Sequence, residues 1–283
     1  MTSQREGLPP VSAAGEFAAG ISQLVRPVLD LPYGGQAAAE IEADDRRLSS
    51  GIVQNPVMAS HEIAGIYLNG AGEALHTLSE VLLRGNVRGR QEHPVAAPYV
   101  STAPLARTAL EYSAKAWWLQ RPSDTARIRA GRALGAMRGD FTVRDAGEPG
   151  DPWGKVGAEL ERWASGQPFR VTKGEGKITA VIREMDPVHG EDHYGYLSDV
   201  THGGPTTVLR IFGQTQAGPM SAALEQWART LIAARAVTTA CRAVADLRGA
   251  QLPPPWNDVI ALGEHYAALW SAEYDAALPD EHG

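Results

Sequence analysis

Residues 104–120 read Pro-Leu-Ala-Arg-Thr-Ala-Leu-Glu-Tyr-Ser-Ala-Lys-Ala-Trp-Trp-Leu-Gln. Wound as a helix, Leu105, Ala106, Ala109, Leu110, Tyr112, Ala114, Ala116, Trp117, Trp118 and Leu119 leave it apolar on nearly every side. A helix of that pattern belongs in the middle of a fold, under other helices. It nevertheless carries Arg107 and Glu111, one turn apart, with Lys115 one turn further on. Buried charges are costly unless they are paired or put to use. Two readings are open for them: a structural i,i+4 pair, or the floor of a polar pocket.

The stretches around this helix have the same period. Apolar residues recur at helical spacing over Glu16–Leu31, with Pro27 near its end, and over Pro56–Leu83, where Asn69-Gly70 and Gly72 suggest a kink. Gln36–Leu48 reads as an Ala- and Glu-rich helix. Ser123–Gly139 reads as a helix capped by Ser123 or Asp124. Its Arg127, Arg129, Arg132 and Arg138 would suit a phosphate grip, but scattered on both flanks they read first as a solvated, snorkelling surface. Further helices are expected around Val156–Trp163 and over Gln216–Gly249, and from an Asn257 cap to about Ala276. Phe169–Val171 and Ile178–Val181 could pair as a short β-hairpin. The expected fold is therefore all-α: an irregular bundle of about eight to ten helices, with at most that minor hairpin. Residues 1–14 are expected to form a disordered tail, and 15–278 a single helical domain.

A second stretch concentrates functional side chains. Residues 192–205 run Asp-His-Tyr-Gly-Tyr-Leu-Ser-Asp-Val-Thr-His-Gly-Gly-Pro, and the Gly-Gly-Pro is a helix stop. On a helix, Tyr194, Ser198 and His202 share one stripe, while Tyr196 and Asp199 lie on its neighbour. A plain amphipathic helix with a histidine near its C-terminus, where a cation is mildly favoured, accounts for the pattern equally well.

Composition narrows the possibilities. A formal net charge of −7 argues against general affinity for nucleic acid or anionic membranes, though a local basic patch stays open. The single cysteine, Cys241, excludes an internal disulfide and a cysteine-built zinc site, and its apolar neighbours make it a packing residue. There is no phosphate loop, dinucleotide fingerprint or nucleophile elbow, and no cofactor is expected. With no long apolar run and no export signal, a cytoplasmic bacterial protein without a membrane partner is the expectation.

Leu105–Glu111 with Trp117-Trp118-Leu119 resembles the central helix of a broad family of all-helical bacterial proteins of unknown function, itself distantly similar to HEPN proteins. Tyr196-Leu197-Ser198-Asp199-Val200-Thr201-His202 is similar to that family's Tyr-x-x-Ser-x-x-x-His segment in its serine and histidine. HEPN bundles include RNA-cleaving toxins and antiviral effectors. Carried over residue by residue, the resemblance nominates Arg107, Glu111, Tyr196, Ser198 and His202. Active HEPN nucleases carry an Arg followed by a His after four to six residues. Here the nearest such run, Arg183 to His189, is interrupted by Pro187.

Three functional readings follow. In the first, His202, Arg107 and Glu111 are catalytic and Tyr194, Tyr196, Ser198 and Asp199 bind, on RNA or a small anionic ligand, with a homodimer as a further expectation. Histidine titrates near neutrality and suits proton transfer, while Arg107 would hold an anionic group. The second is a non-enzymatic helical module for a partner protein or small ligand. The third is a di-metal carboxylate oxidase. It would use Glu40, Glu73-x-x-His76, Glu111 and Asp199-x-x-His202 in the order of di-iron bundles, although Glu73 and His76 oppose the apolar stripe.

Overall fold

The computed structural model describes residues 7–43, 56–88, 99–144, 165–166, 170–172, 177–203 and 219–277. Among these residues the chain is built from nine helices and no strand. They are α1 (Val11–Leu29), α2 (Gly35–Ala43), α3 (Pro56–Arg88), α4 (Tyr99–Leu119), α5 (Ala126–Arg144), α6 (Ile178–Met185), α7 (Gly190–His202), α8 (Pro219–Leu247) and α9 (Pro255–Ala277).

The helix with the all-round apolar sequence is α4, and it is the hub. It packs against α3, α8, α5, α6 and α7. α1, α3, α4 and α8 close a ring in which each packs on the next, and α9 covers α8 and α1. Ala106, Ala109, Ala114 and Ala116 of α4 are fully buried. Their small side chains let neighbouring helices approach, and larger residues fill the gaps: Leu68, Leu75 and Leu78 of α3, and Trp227 of α8. Each buried leucine contributes about 2 kcal/mol of transfer free energy. None of the described helices is long and apolar enough to cross a membrane.

Several local expectations are corrected. Ile178–Val181 is the first half of helix α6, with Val181 and Ile182 buried, so no hairpin forms there. Its apolar residues serve a helix face packed on α4, and Phe169 lies outside the described residues. The polar N-terminal stretch is also shorter than expected. Ala14 is buried inside α1, and Trp227 donates its indole N–H to the Pro9 carbonyl at 2.9 Å. α3 continues as one helix through Asn69-Gly70, where the ring of Tyr112 lies so close that a Cβ on Gly70 would approach it at 2.6 Å. That glycine is thus a packing glycine and not a break.

Neither Ser123 nor Asp124 caps α5. The cap is Thr125, whose Oγ1 accepts from the Ile128 N–H at 3.4 Å. Nor does Asn257 cap the last helix, which already begins at Pro255, a residue preset for a first turn. Arg129 is fully buried and does not snorkel. The helix expected at Val156–Trp163 lies outside the described residues.

Candidate functional site

α7 is short, and its ends are marked by chemistry. Glu191 and Asp192 occupy its first turn, and His202 its last. The acidic placement complements the helix dipole. Gly203 follows in the left-handed conformation (φ 62°) and ends the helix, which fixes His202 at the rim. Leu197 and Val200 are buried and hold α7 down on α4. The polar residues around them then fall on either side of that contact.

On one side lies Arg107. Its Nε donates to Glu111 Oε1 at 2.8 Å, its Nη2 to the Tyr194 hydroxyl at 2.9 Å, and its Nη1 meets His202 Nε2 at 3.0 Å. The guanidinium also lies over the Tyr194 ring, 5.2 Å from its centre. Arginine can only donate, so His202 Nε2 must accept and the ring proton sits on Nδ1. The Arg107 and Glu111 side chains are 20% and 26% exposed. This makes a half-buried pair at the edge of the α4–α7 contact. Burial works against the charge on Arg107, but the hydrogen bond and charge of Glu111, with help from Tyr194, outweigh it. The arginine is held above its ordinary range and remains a permanent cation.

On the other side lies a network centred on Arg229 of α8. Arg229 is fully buried. Its Nε donates to the Tyr196 hydroxyl at 3.1 Å, its Nη1 to Thr102 Oγ1 at 2.7 Å, and its Nη2 lies 3.5 Å from Glu225. Tyr196 in turn donates its hydroxyl hydrogen to Glu225. Burial first, with the Glu225 charge behind it, pushes the Tyr196 hydroxyl well above the usual phenol range, against the pull of Arg229.

The structure therefore brings together Arg107, Glu111, Tyr194 and His202, and it separates Tyr196 from them. Residues two apart on a helix point to nearly opposite sides, so Tyr194 and Tyr196 serve different arginines. Ser198 is half-buried, with no side-chain hydrogen bond among the described residues, and Asp199 is exposed. The residues of the metal reading do not gather. Glu73 and His76 are exposed, Glu73 accepts from Asn69 at 2.8 Å, Glu40 is bound to Arg129, and Glu111 to Arg107. Among the described residues no group of three or more metal-capable side chains occurs.

Arg229, Glu225 and Thr102 were not singled out from sequence. The signal was available: Glu225 and Arg229 are a charged pair one turn apart on a mostly apolar helix, the same pattern as Arg107 and Glu111. Comparisons of the chain with protein-family models, with curated proteins and with solved structures found no match in any of the three.

Proposed function

We propose that the Arg107–His202 cluster is a phosphodiester-acting site of a HEPN-like RNA-cleaving protein. The single observation that carries this reading is the 3.0 Å approach of a permanent cation to an exposed histidine from a different helix. Metal-free cleavage of RNA needs a cation for the phosphoryl oxygens and a nearby proton carrier. Arg107 has five N–H bonds, of which three are engaged, leaving one on each terminal nitrogen for a phosphoryl oxygen.

In the cleaving step, His202 Nε2 leaves Arg107 and takes the proton of the ribose 2′-hydroxyl. The 2′-oxygen attacks phosphorus, and the bond to the 5′-oxygen breaks. The imidazolium returns its proton to that oxygen, giving a 2′,3′-cyclic phosphate and a 5′-hydroxyl. Glu111 holds the guanidinium in place throughout. A cytoplasmic bacterial setting and an RNA or small anionic partner accompany this reading.

The test is incubation of the protein with end-labelled RNAs in EDTA. Cleavage to cyclic-phosphate ends, reduced at least a hundredfold in both His202→Ala and Arg107→Ala, is the expected result. Absence of cleavage, or cleavage that survives both substitutions, rejects it.

A second reading has its own observation. Three nitrogens of Arg107 are already engaged within the chain, and Glu111 offsets its charge. An arginine so occupied can serve as a strut that fixes α7 on α4 in a non-enzymatic binding module. The same RNA experiment separates the two.

A further inference from the structure

A different polar cluster lies at the other end of α4, and the site described above does not use it. His61 of α3 is 2% exposed, and neither ring nitrogen has a hydrogen-bond partner. The edge of Tyr33 packs on the ring at 5.3 Å. The guanidinium of Arg248 covers Tyr33 at 4.6 Å, and the charges of Arg248 and Arg129 both bear on the imidazole. Gln120 lies beside it without a well-formed hydrogen bond, and its Oε1 is also unpartnered.

The cluster holds buried, unpartnered groups of both kinds, and the second ring nitrogen of a neutral His61 and Gln120 Oε1 can accept. Arg129 Nε and Arg248 Nε are buried and unpartnered, and a neutral His61 adds one N–H. Arg248 donates to the Leu29 and Leu31 carbonyls at 2.8 and 2.7 Å, whereas the fully buried Arg129 also needs a countercharge. Asp124 is taken by Arg132 at 2.7 Å, and Asp30 by Arg26 at 3.0 Å. The carboxylate that reaches Arg129 is Glu40, from α2. Glu40 is only 17% exposed, and Gln36 Nε2 steadies its other oxygen at 2.7 Å.

What brings Glu40 there is a short helix with a small apolar face. α2 is a nine-residue helix in which Ala37 is the one fully buried side chain among those described. Its apolar contact is therefore small, and the Glu40–Arg129 ion pair is the principal tie that opening must break. The unpartnered atoms are closed to solvent, so nothing enters while α2 is down.

We propose that Glu40 is an internal stand-in for a small oxyanion, and that Arg129, Arg248 and His61 form a latched oxyanion-binding site exposed when α2 lifts. The ligand places an anionic oxygen on the Arg129 fork, where the Glu40 carboxylate now sits. The unpaired Nε–H groups and the His61 N–H take its remaining lone pairs. Phosphate and carboxylate share this chemistry. Gln120 is thirteen residues beyond Arg107 on the same run of chain, roughly 20 Å along a helix, so this site is separate from the Arg107–His202 cluster.

The test is binding of inorganic phosphate and of acetate, each against sodium chloride of equal ionic strength, read by dialysis and by the ring nitrogens of His61 in NMR. Glu40→Gln removes the competing charge while keeping shape. It is expected to bind one of the two anions at least tenfold more tightly than wild type, with loss of that gain in Glu40→Gln/His61→Gln and no change in Glu40→Gln/His202→Ala. Binding of phosphate alone or acetate alone assigns the source. If Glu40→Gln does not fold, Glu40→Ala is refolded in acetate or phosphate, and recovery in either but not in chloride supports the site. No anion effect on either variant, or binding that survives the His61 substitution, overturns it.

Discussion

Arg107 and His202, ninety-five positions apart in sequence, meet at 3.0 Å between Nη1 and Nε2. Because the guanidinium has no lone pair to offer, this contact dictates the histidine tautomer. Long-range proton–nitrogen NMR should find the neutral His202 ring protonated on Nδ1. In Arg107→Ala the constraint is gone, and the signals should move toward the other tautomer. A wild-type ring protonated on Nε2 rules the contact out.

Glu111 holds the same arginine from the opposite side at 2.8 Å. Removing it leaves a half-buried cation with one charged partner fewer. Glu111→Ala should lower unfolding free energy by about 1.5–3 kcal/mol, the range for a hydrogen bond to a charged group, and Glu111→Gln by less. Denaturant titration decides. A change within 0.5 kcal/mol for the alanine variant would mean that water already replaces the carboxylate.

Arg229 is more deeply placed, with no exposed surface, and three partners depend on it. Arg229→Ala leaves Glu225 and the Tyr196 hydroxyl without their cation. A loss of about 3–5 kcal/mol is expected, larger than for Glu111→Ala. The ordering of the two losses is the sharper part of the test, since both are measured in the same titration.

His61 links stability to pH. Burial foremost, then the charges of Arg248 and Arg129, lowers its pKa from 6.5 to about 4, while Gln120 opposes the shift. The unfolded chain therefore takes up this proton first as the solution is acidified. The stability contributed by neutral His61 is fully present above pH 6.5 and is lost as pH falls toward and through 4. A shift of that size corresponds to about 3 kcal/mol. His61→Leu should flatten the stability profile in this window, and an identical slope in both proteins would dismiss the assignment.

Gly203 ends α7 at φ 62°, yet a Cβ built on it meets nothing within 4 Å among the described residues. Gly203→Ala should therefore cost only the backbone strain of the left-handed region, about 1 kcal/mol. Gly135→Ala should cost distinctly more, because its Cβ would lie 2.2 Å from the Thr172 carbonyl oxygen. Equal melting temperatures for the two variants would contradict this contrast.

The periodicity of residues 104–120 by itself settled that the chain is helical and that this helix lies at its centre, because an all-round apolar surface can only be satisfied by neighbours on every side. It also marked Arg107 and Glu111 as a pair, since residues four apart meet on any helix. Local signals were weaker. The apolar run 178–181 is too short for its period to separate strand from helix, and only its packing on α4 decided. Which tyrosine serves which arginine was beyond the sequence. Helix spacing puts Tyr194 and Tyr196 on different stripes, but only the way Leu197 and Val200 seat α7 on α4 sends one to Arg107 and the other to Arg229. The His61 cluster draws on α2, α3, α5, the Tyr33 turn and the end of α8. Only tertiary packing joins groups so far apart in the chain, because sequence spacing carries orientation within one helix and nothing about the distance between two.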